Sequence, residues 1–102
     1  MQMKSSKQFY GKVIINSTEW EKSYPMKLEY YQTQENVGKG QKVYGIGVTK
    51  TCIKEKEVDI EQKEFNQILR NENEAEKLLQ VLLKNKVTPV GLKDVLQEIV
   101  EV

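Results

Sequence analysis

The feature that most constrains this chain is a pair of apolar stripes at helical spacing, set on either side of a Thr-Pro corner in its last third. Ala75, Leu78, Leu79, Leu82 and Leu83 fall at i, i+3, i+4, i+7 and i+8, one continuous face of a helix. Leu92, Val95, Leu96, Ile99 and Val100 repeat the pattern. Asn71 followed by Glu74, and Asn73 followed by Glu76, both imitate a capping box ahead of the first stripe. Glu72, Glu74 and Glu76 then lie at the positive end of that helix, and Lys84 and Lys86 at its negative end. A corner follows at Asn85-Lys86-Val87. Thr88 can accept from an orphan N–H of the second helix, and Pro89 suits its first position, where no donor is needed. Val87 and Leu92 stand at the spacing of a hydrophobic staple. Two amphipathic helices joined by so short a corner must bury both stripes together, most simply against one face of a sheet.

The residues upstream supply that sheet. Gln8 to Asn16 reads as extended, with an irregularity at Gly11. Ser17 to Ser23 reads as a loop, and Pro25 suits the start of a second strand over Met26 to Thr33. There Met26, Leu28 and Tyr30 face one way, and Lys27, Glu29 and Tyr31 the other. Gln34 to Gln41, with Asn36, Gly38 and Gly40, has turn chemistry. A third strand over Lys42 to Ile53 sets Tyr44, Ile46, Val48 and Cys52 opposite Gly45, Gly47, Thr49 and Thr51. Lys54 to Glu57 is a polar turn, and Val58 with Ile60 opens a fourth strand. Residues 60–69 fit a helix through Phe65, Ile68 and Leu69, or a strand carrying a bulge; the strand, to about Ile68, is the reading adopted.

The chain of 102 residues is short enough for one domain, predicted over residues 8–102 behind a flexible N-terminal segment, 1–7. The longest apolar run, Val13-Ile14-Ile15, is too short to cross a bilayer, and no apolar stretch follows the first residues as a signal peptide requires. A single cysteine excludes an internal disulfide framework and favours a reducing, cytoplasmic setting. The net charge of +1 hides an asymmetry. Residues 1–50 carry eight lysines against four glutamates, and residues 51–102 eight basic against eleven acidic groups. Arg70 is the only arginine, whereas nucleic-acid readers rely on arginine for bidentate contacts.

The segment Asn85-Lys86-Val87-Thr88-Pro89-Val90-Gly91-Leu92-Lys93-Asp94-Val95, taken with Tyr44-Gly45-Ile46 upstream, resembles a family of small uncharacterised Firmicutes proteins, chiefly clostridial, classed as a domain of unknown function. The resemblance covers roughly Val43 to Val100. It implies a cytoplasmic bacterial protein with a β-meander followed by helices, and it brings no known activity and no functional residues. This chain departs from the pattern at Gly91, where a bulkier polar residue is the family's habit, and in a longer N-terminal segment.

The inventory for chemistry is thin. There is no histidine, the commonest general base and metal ligand. Gly45-Ile46-Gly47 lies inside a strand and Gly38-Lys39-Gly40 in a hairpin loop, whereas a phosphate loop needs its glycines between a strand and a helix. Small residues on one strand face instead let a neighbour approach closely. Cys52 has no base to activate it and reads as a small buried apolar side chain. The glutamates of the first helix fan around it rather than converge, and no calcium-loop spacing occurs. The helix pair invites a helix-turn-helix reading, but the second helix sets Lys93 against Asp94, Glu98 and Glu101, which phosphates would repel.

Trp20, Tyr24, Tyr30 and Tyr31, near Lys22 and Lys27, are what remains. Tyr30 and Tyr31 must point to opposite faces, so one joins the core. If Trp20, Tyr24 and Tyr31 share a surface, they could anchor a protein partner or stack single-stranded bases. The sequence therefore predicts an α+β domain: a small antiparallel sheet of three to four strands, then a C-terminal αα-hairpin packed on one sheet face. The expected function is a non-catalytic binding or regulatory module, acting through protein–protein contact or homo-oligomerisation with Trp20, Tyr24 and Tyr31 as candidate contacts. Single-stranded nucleic-acid binding through the lysine-rich first half is the alternative, and a small enzyme comes third. No cofactor, metal or membrane is expected.

Overall fold

The structure, a computed structural model, describes residues 5–15 and 25–99. Four strands, β1 (Ser5–Ile15), β2 (Met26–Gly38), β3 (Gln41–Ile53) and β4 (Val58–Leu69), precede two helices, α1 (Glu72–Lys84) and α2 (Pro89–Ile99). The strands form one antiparallel sheet in the order β1-β2-β3-β4, and both helices pack on one of its faces. The α+β architecture read from the sequence is thus the one observed.

Element boundaries moved outward. β1 already pairs at Ser5, whose register partner is Glu35. The loop expected over Gln34 to Gln41 shrinks to Lys39-Gly40, because the polar residues Gln34 to Asn36 keep their backbones in the ladder with β3. Lys39 and Gly40 have φ of 51° and 74°, the pair of positive values that a tight hairpin turn matched to sheet twist requires. β4 is a strand throughout, with the bulge between its pairings to Tyr44 and Ile46, and Gln67 takes a φ of 58° there.

The helix ends follow the capping chemistry. Of the two candidate positions Asn71 is the N-cap, its side-chain oxygen accepting from the Asn73 N–H at 2.7 Å. At the far end Lys86 adopts φ 52°, and the Val87 N–H reaches the Leu82 carbonyl at 3.0 Å, closing α1 and turning the chain. Thr88 receives the Gly91 N–H on its hydroxyl at 3.4 Å, Pro89 opens α2, and Val87 and Leu92 are both buried.

The core lies between sheet and helices. Leu28 and Tyr30 from β2, Ile46 and Val48 from β3, and Leu79, Leu82 and Leu92 from the helices are almost completely buried. Gly11 lies against α1: a Cβ there would come 2.6 Å from Leu83 Cδ1. The register slips at that point, between Phe9 and Gly11, so Tyr10 is the extra residue of a bulge and packs against the core. Tyr30 ties the layers together, its hydroxyl donating to the Val87 carbonyl in the helix corner at 2.9 Å. Burial pushes that phenol up to about 12. Cys52, read as a buried apolar residue, is only half-buried, because it lies near the Ile53–Val58 end of the sheet, four residues beyond the buried run Tyr44–Val48.

Candidate functional site: the open sheet face

With the helices on one side, the opposite sheet face carries the chain's surface chemistry. Alternation and register lay it out in rows across the four strands. One row runs Ile14, Lys27, Thr51, Ile60; the next Lys12, Glu29, Thr49, Gln62; the next Phe9, Tyr31, Gly47, Glu64; beyond it lie Lys7, Thr33 and Gly45.

The rows differ in character. At the Tyr31 end a polar network is closed on itself. Tyr31 is only 9% exposed although no helix covers it. Its ring lies flat over Gly47, where any Cβ would stand 2.3 Å from the ring, so the glycine is the seat of the tyrosine. Gly45 plays the same part for Thr33 and for the bulged backbone of β4, which crosses it at Phe65 and Asn66. The two glycines that spell a phosphate loop on paper are therefore close-approach positions inside a sheet.

The Tyr31 hydroxyl donates to Glu64 Oε2 at 2.8 Å and accepts from Gln62 Nε2 at 2.6 Å. Lys7 Nζ lies 2.9 Å from the same carboxylate oxygen and 5.2 Å from the centre of the Tyr31 ring. Burial alone would raise the Glu64 carboxyl, but hydrogen bonds from Lys7, Tyr31 and Asn66 outweigh it and hold the group below its ordinary 4.5. Burial, and then the bond to Glu64, raise the Tyr31 phenol. The hydrogen bond to Glu64 raises Lys7.

These directions set a pH dependence. Glu64, depressed on folding, contributes stability that is complete above 4.5 and lost as the pH falls through its lowered value. Lys7 and Tyr31, both raised, lose their contributions as the pH rises past 10.5 and 10.0 through their folded values. Urea unfolding of Glu64→Gln from pH 7 to pH 3 is therefore expected to fall less steeply than that of the parent chain. Parallel acid limbs would remove Glu64 from the titrating set.

At the other end the face is apolar. Ile14, Ile53, Val58 and Ile60 are 56–65% exposed, and Val58 pairs with Ile53 beside Ile60. Trp20 and Tyr24, the other two aromatic contact candidates, lie outside the described residues. Of the three, only Tyr31 is described, and it stands in the polar network rather than among these exposed side chains. The partners of Tyr31 (Lys7, Gln62 and Glu64) went unnamed in the sequence reading. Alternation predicts a shared face for Gln62 and Glu64, but Lys7 was expected in the flexible segment 1–7, and only the observed extent and register of β1 bring it to them.

Among the described residues no helix is long and apolar enough to cross a membrane, and no group of His, Cys, Asp and Glu is placed to hold a metal. Comparison with known proteins gives no match among curated proteins and none among solved structures. Residues 11–102 match the profile of a family described as a family of unknown function (DUF6514).

Proposed function

The chain belongs to that family of unknown function, and from this premise we propose that it is a non-catalytic binding module whose working surface is the open sheet face. Its occupant in this reading is a second copy of the chain. One observation carries the proposal: Ile53, Val58 and Ile60 stand exposed together on the face that the helices leave uncovered, with Ile14 exposed on the same face across Lys27 and Thr51. Exposed apolar side chains on a sheet face that no described helix covers are what an interface presents before assembly.

The layout favours self-association. Ile14 and Ile60 occupy the two ends of one row. A two-fold axis parallel to the strands would lay Ile14 of each copy on Ile60 of the other, the self-complementary pairing that an isologous contact needs. A cytoplasmic, bacterial setting belongs to the same proposal, in keeping with a single cysteine and with the resemblance noted above.

The nucleic-acid alternative draws no support from Tyr31, whose ring has Gly47 beneath it and the Lys7 ammonium within cation–π reach. Sedimentation velocity over a range of concentrations tests the proposal. The parent chain is expected to form a dimer, and Ile60→Lys to weaken it by more than about tenfold, at least 1.4 kcal/mol. Circular dichroism should be unchanged, since Ile60 is 65% exposed. A parent chain that remains monomeric throughout, or salt-sensitive retention on oligonucleotides by a monomer, would overturn it.

A further inference from the structure

A pocket of about 160 Å³ opens between α2 and β4, the strand at one edge of the sheet. Phe65 and Ile68 from β4 and Leu96 from α2 give it an apolar lining, and Lys93 and Gln97 complete the wall on the α2 side. All of them belong to the helix side of the sheet. Phe65 pairs with the core residue Ile46 and shares its face, Ile68 packs against the core, and Leu96 is buried. On α2, Lys93, Leu96 and Gln97 fall at i, i+3 and i+4, along one flank. The charge beside the pocket has one sign. Lys63 pairs with the core residue Val48, and its ammonium lies 5.7 Å from the centre of the Phe65 ring. Neither Lys63 nor Lys93 joins an ion pair among the described residues, and no described carboxylate lines the pocket. Glu61, the next acid along that face of β4, is paired with Lys50. Asp94 and Glu98 stand two positions either side of Leu96, which puts them on the opposite face of α2.

We infer that this pocket binds a small free carboxylic acid carrying a single ring. A cavity of about 150 Å³ lined by aliphatic and aromatic side chains takes one benzene molecule, so one ring fills a pocket of this size. A long acyl chain would trail into solvent. The ring lies among Phe65, Ile68 and Leu96, where an aromatic neighbour adds to plain apolar burial. The carboxylate is left at the mouth. There Lys93 and Lys63 supply the opposite charge, and the Gln97 side-chain amide supplies a hydrogen-bond donor. An amine on the same ring would meet two like charges, and an uncharged ring would forgo both ammonium groups. The pocket lies on the helix side of the sheet, so this inference does not depend on the open face or on dimerisation.

Phenylacetate is the probe, titrated into the full chain with its isoleucine and leucine methyl groups ¹³C-labelled. The Ile68 and Leu96 methyl resonances are expected to shift with saturation at about millimolar concentration, the range open to roughly ten non-hydrogen atoms in one open pocket. Phenylacetamide, which lacks the charge, and 2-phenylethylamine, which reverses it, are each expected to bind at least about threefold more weakly. In the double variant Lys63→Gln/Lys93→Gln, phenylacetate should fall to the affinity of phenylacetamide, whose own binding should not change. Both lysines are exposed, so the variant is expected to fold as the parent does. No saturable shift, or a preference for phenylacetate that survives the loss of both lysines, would overturn the inference. Tighter binding of N-acetylphenylalanine, which imitates the last residue of a peptide, would overturn it in favour of a peptide terminus.

Discussion

Replacing Tyr30 with alanine is expected to lower the free energy of unfolding by about 3–5 kcal/mol, the usual cost of removing a large buried aromatic side chain. A domain of this length has roughly 5–15 kcal/mol to lose. Tyr30 is completely buried, and it is the residue through which β2 holds the helix corner. The two contributions separate in Tyr30→Phe. That change keeps the ring and deletes only the donor to the Val87 carbonyl, 57 residues away, and is expected to cost about 1–2 kcal/mol. Urea unfolding followed by circular dichroism reads both, with the midpoint falling and the slope unchanged. A neutral Tyr30→Phe would mean that the Val87 carbonyl finds another donor and that the tyrosine acts through packing alone.

Gly45→Ala is the second large effect. A Cβ at position 45 would lie 2.3 Å from the Phe65 carbonyl oxygen and 2.7 Å from Asn66 Cα, both backbone atoms of the β4 bulge. Backbone in a paired strand cannot swing aside, so the strands must separate, at the upper end of the 1–3 kcal/mol typical of overpacking or beyond it. Gly47→Ala meets only the Tyr31 ring, a side chain that can rotate away after giving up its bonds to Gln62 and Glu64. It is expected to cost less, and the two positions should couple. Tyr31→Ala should relieve most of the Gly47→Ala penalty and none of the Gly45→Ala penalty, a contrast that double-mutant cycles measure directly. Additive costs at 31 and 47 would show that the ring does not need the glycine.

These two glycines show how far a sequence reading reaches. That Gly45 and Gly47 serve close approach rather than phosphate binding followed from their place inside an alternating strand. What approaches them did not follow. Likewise one of Tyr30 and Tyr31 had to enter the core, and Tyr30 did. Tyr31 was expected as a contact residue, yet it is almost as buried on the far face, beneath Lys7 and beside Glu64. The segment between β2 and β3, Gln34 to Gln41, reads as a long loop on the turn chemistry of Asn36, Gly38 and Gly40, yet Gln34 to Asn36 stay in the ladder. Ladder hydrogen bonds come from the backbone, and side-chain polarity does not report on them. The exposed group of Ile14, Ile53, Val58 and Ile60 drew no notice as a group, since each looked like an ordinary apolar strand residue.

The sequence by itself determined the helix pair, the corner that joins it, and the shared face of Leu28 and Tyr30 in β2 and of Tyr44, Ile46 and Val48 in β3. Those properties depend on neighbours three or four positions away along a helix, two along a strand, and on caps adjacent in the chain. The tertiary structure alone decided which sheet face the helices cover, how the bulges at Tyr10 and Gln67 re-aim β1 and β4, and that Lys7 meets Glu64 and Tyr31. Periodicity specifies direction within an element. Register between elements is set by packing the whole set at once, and a bulge of one residue changes which side chains meet.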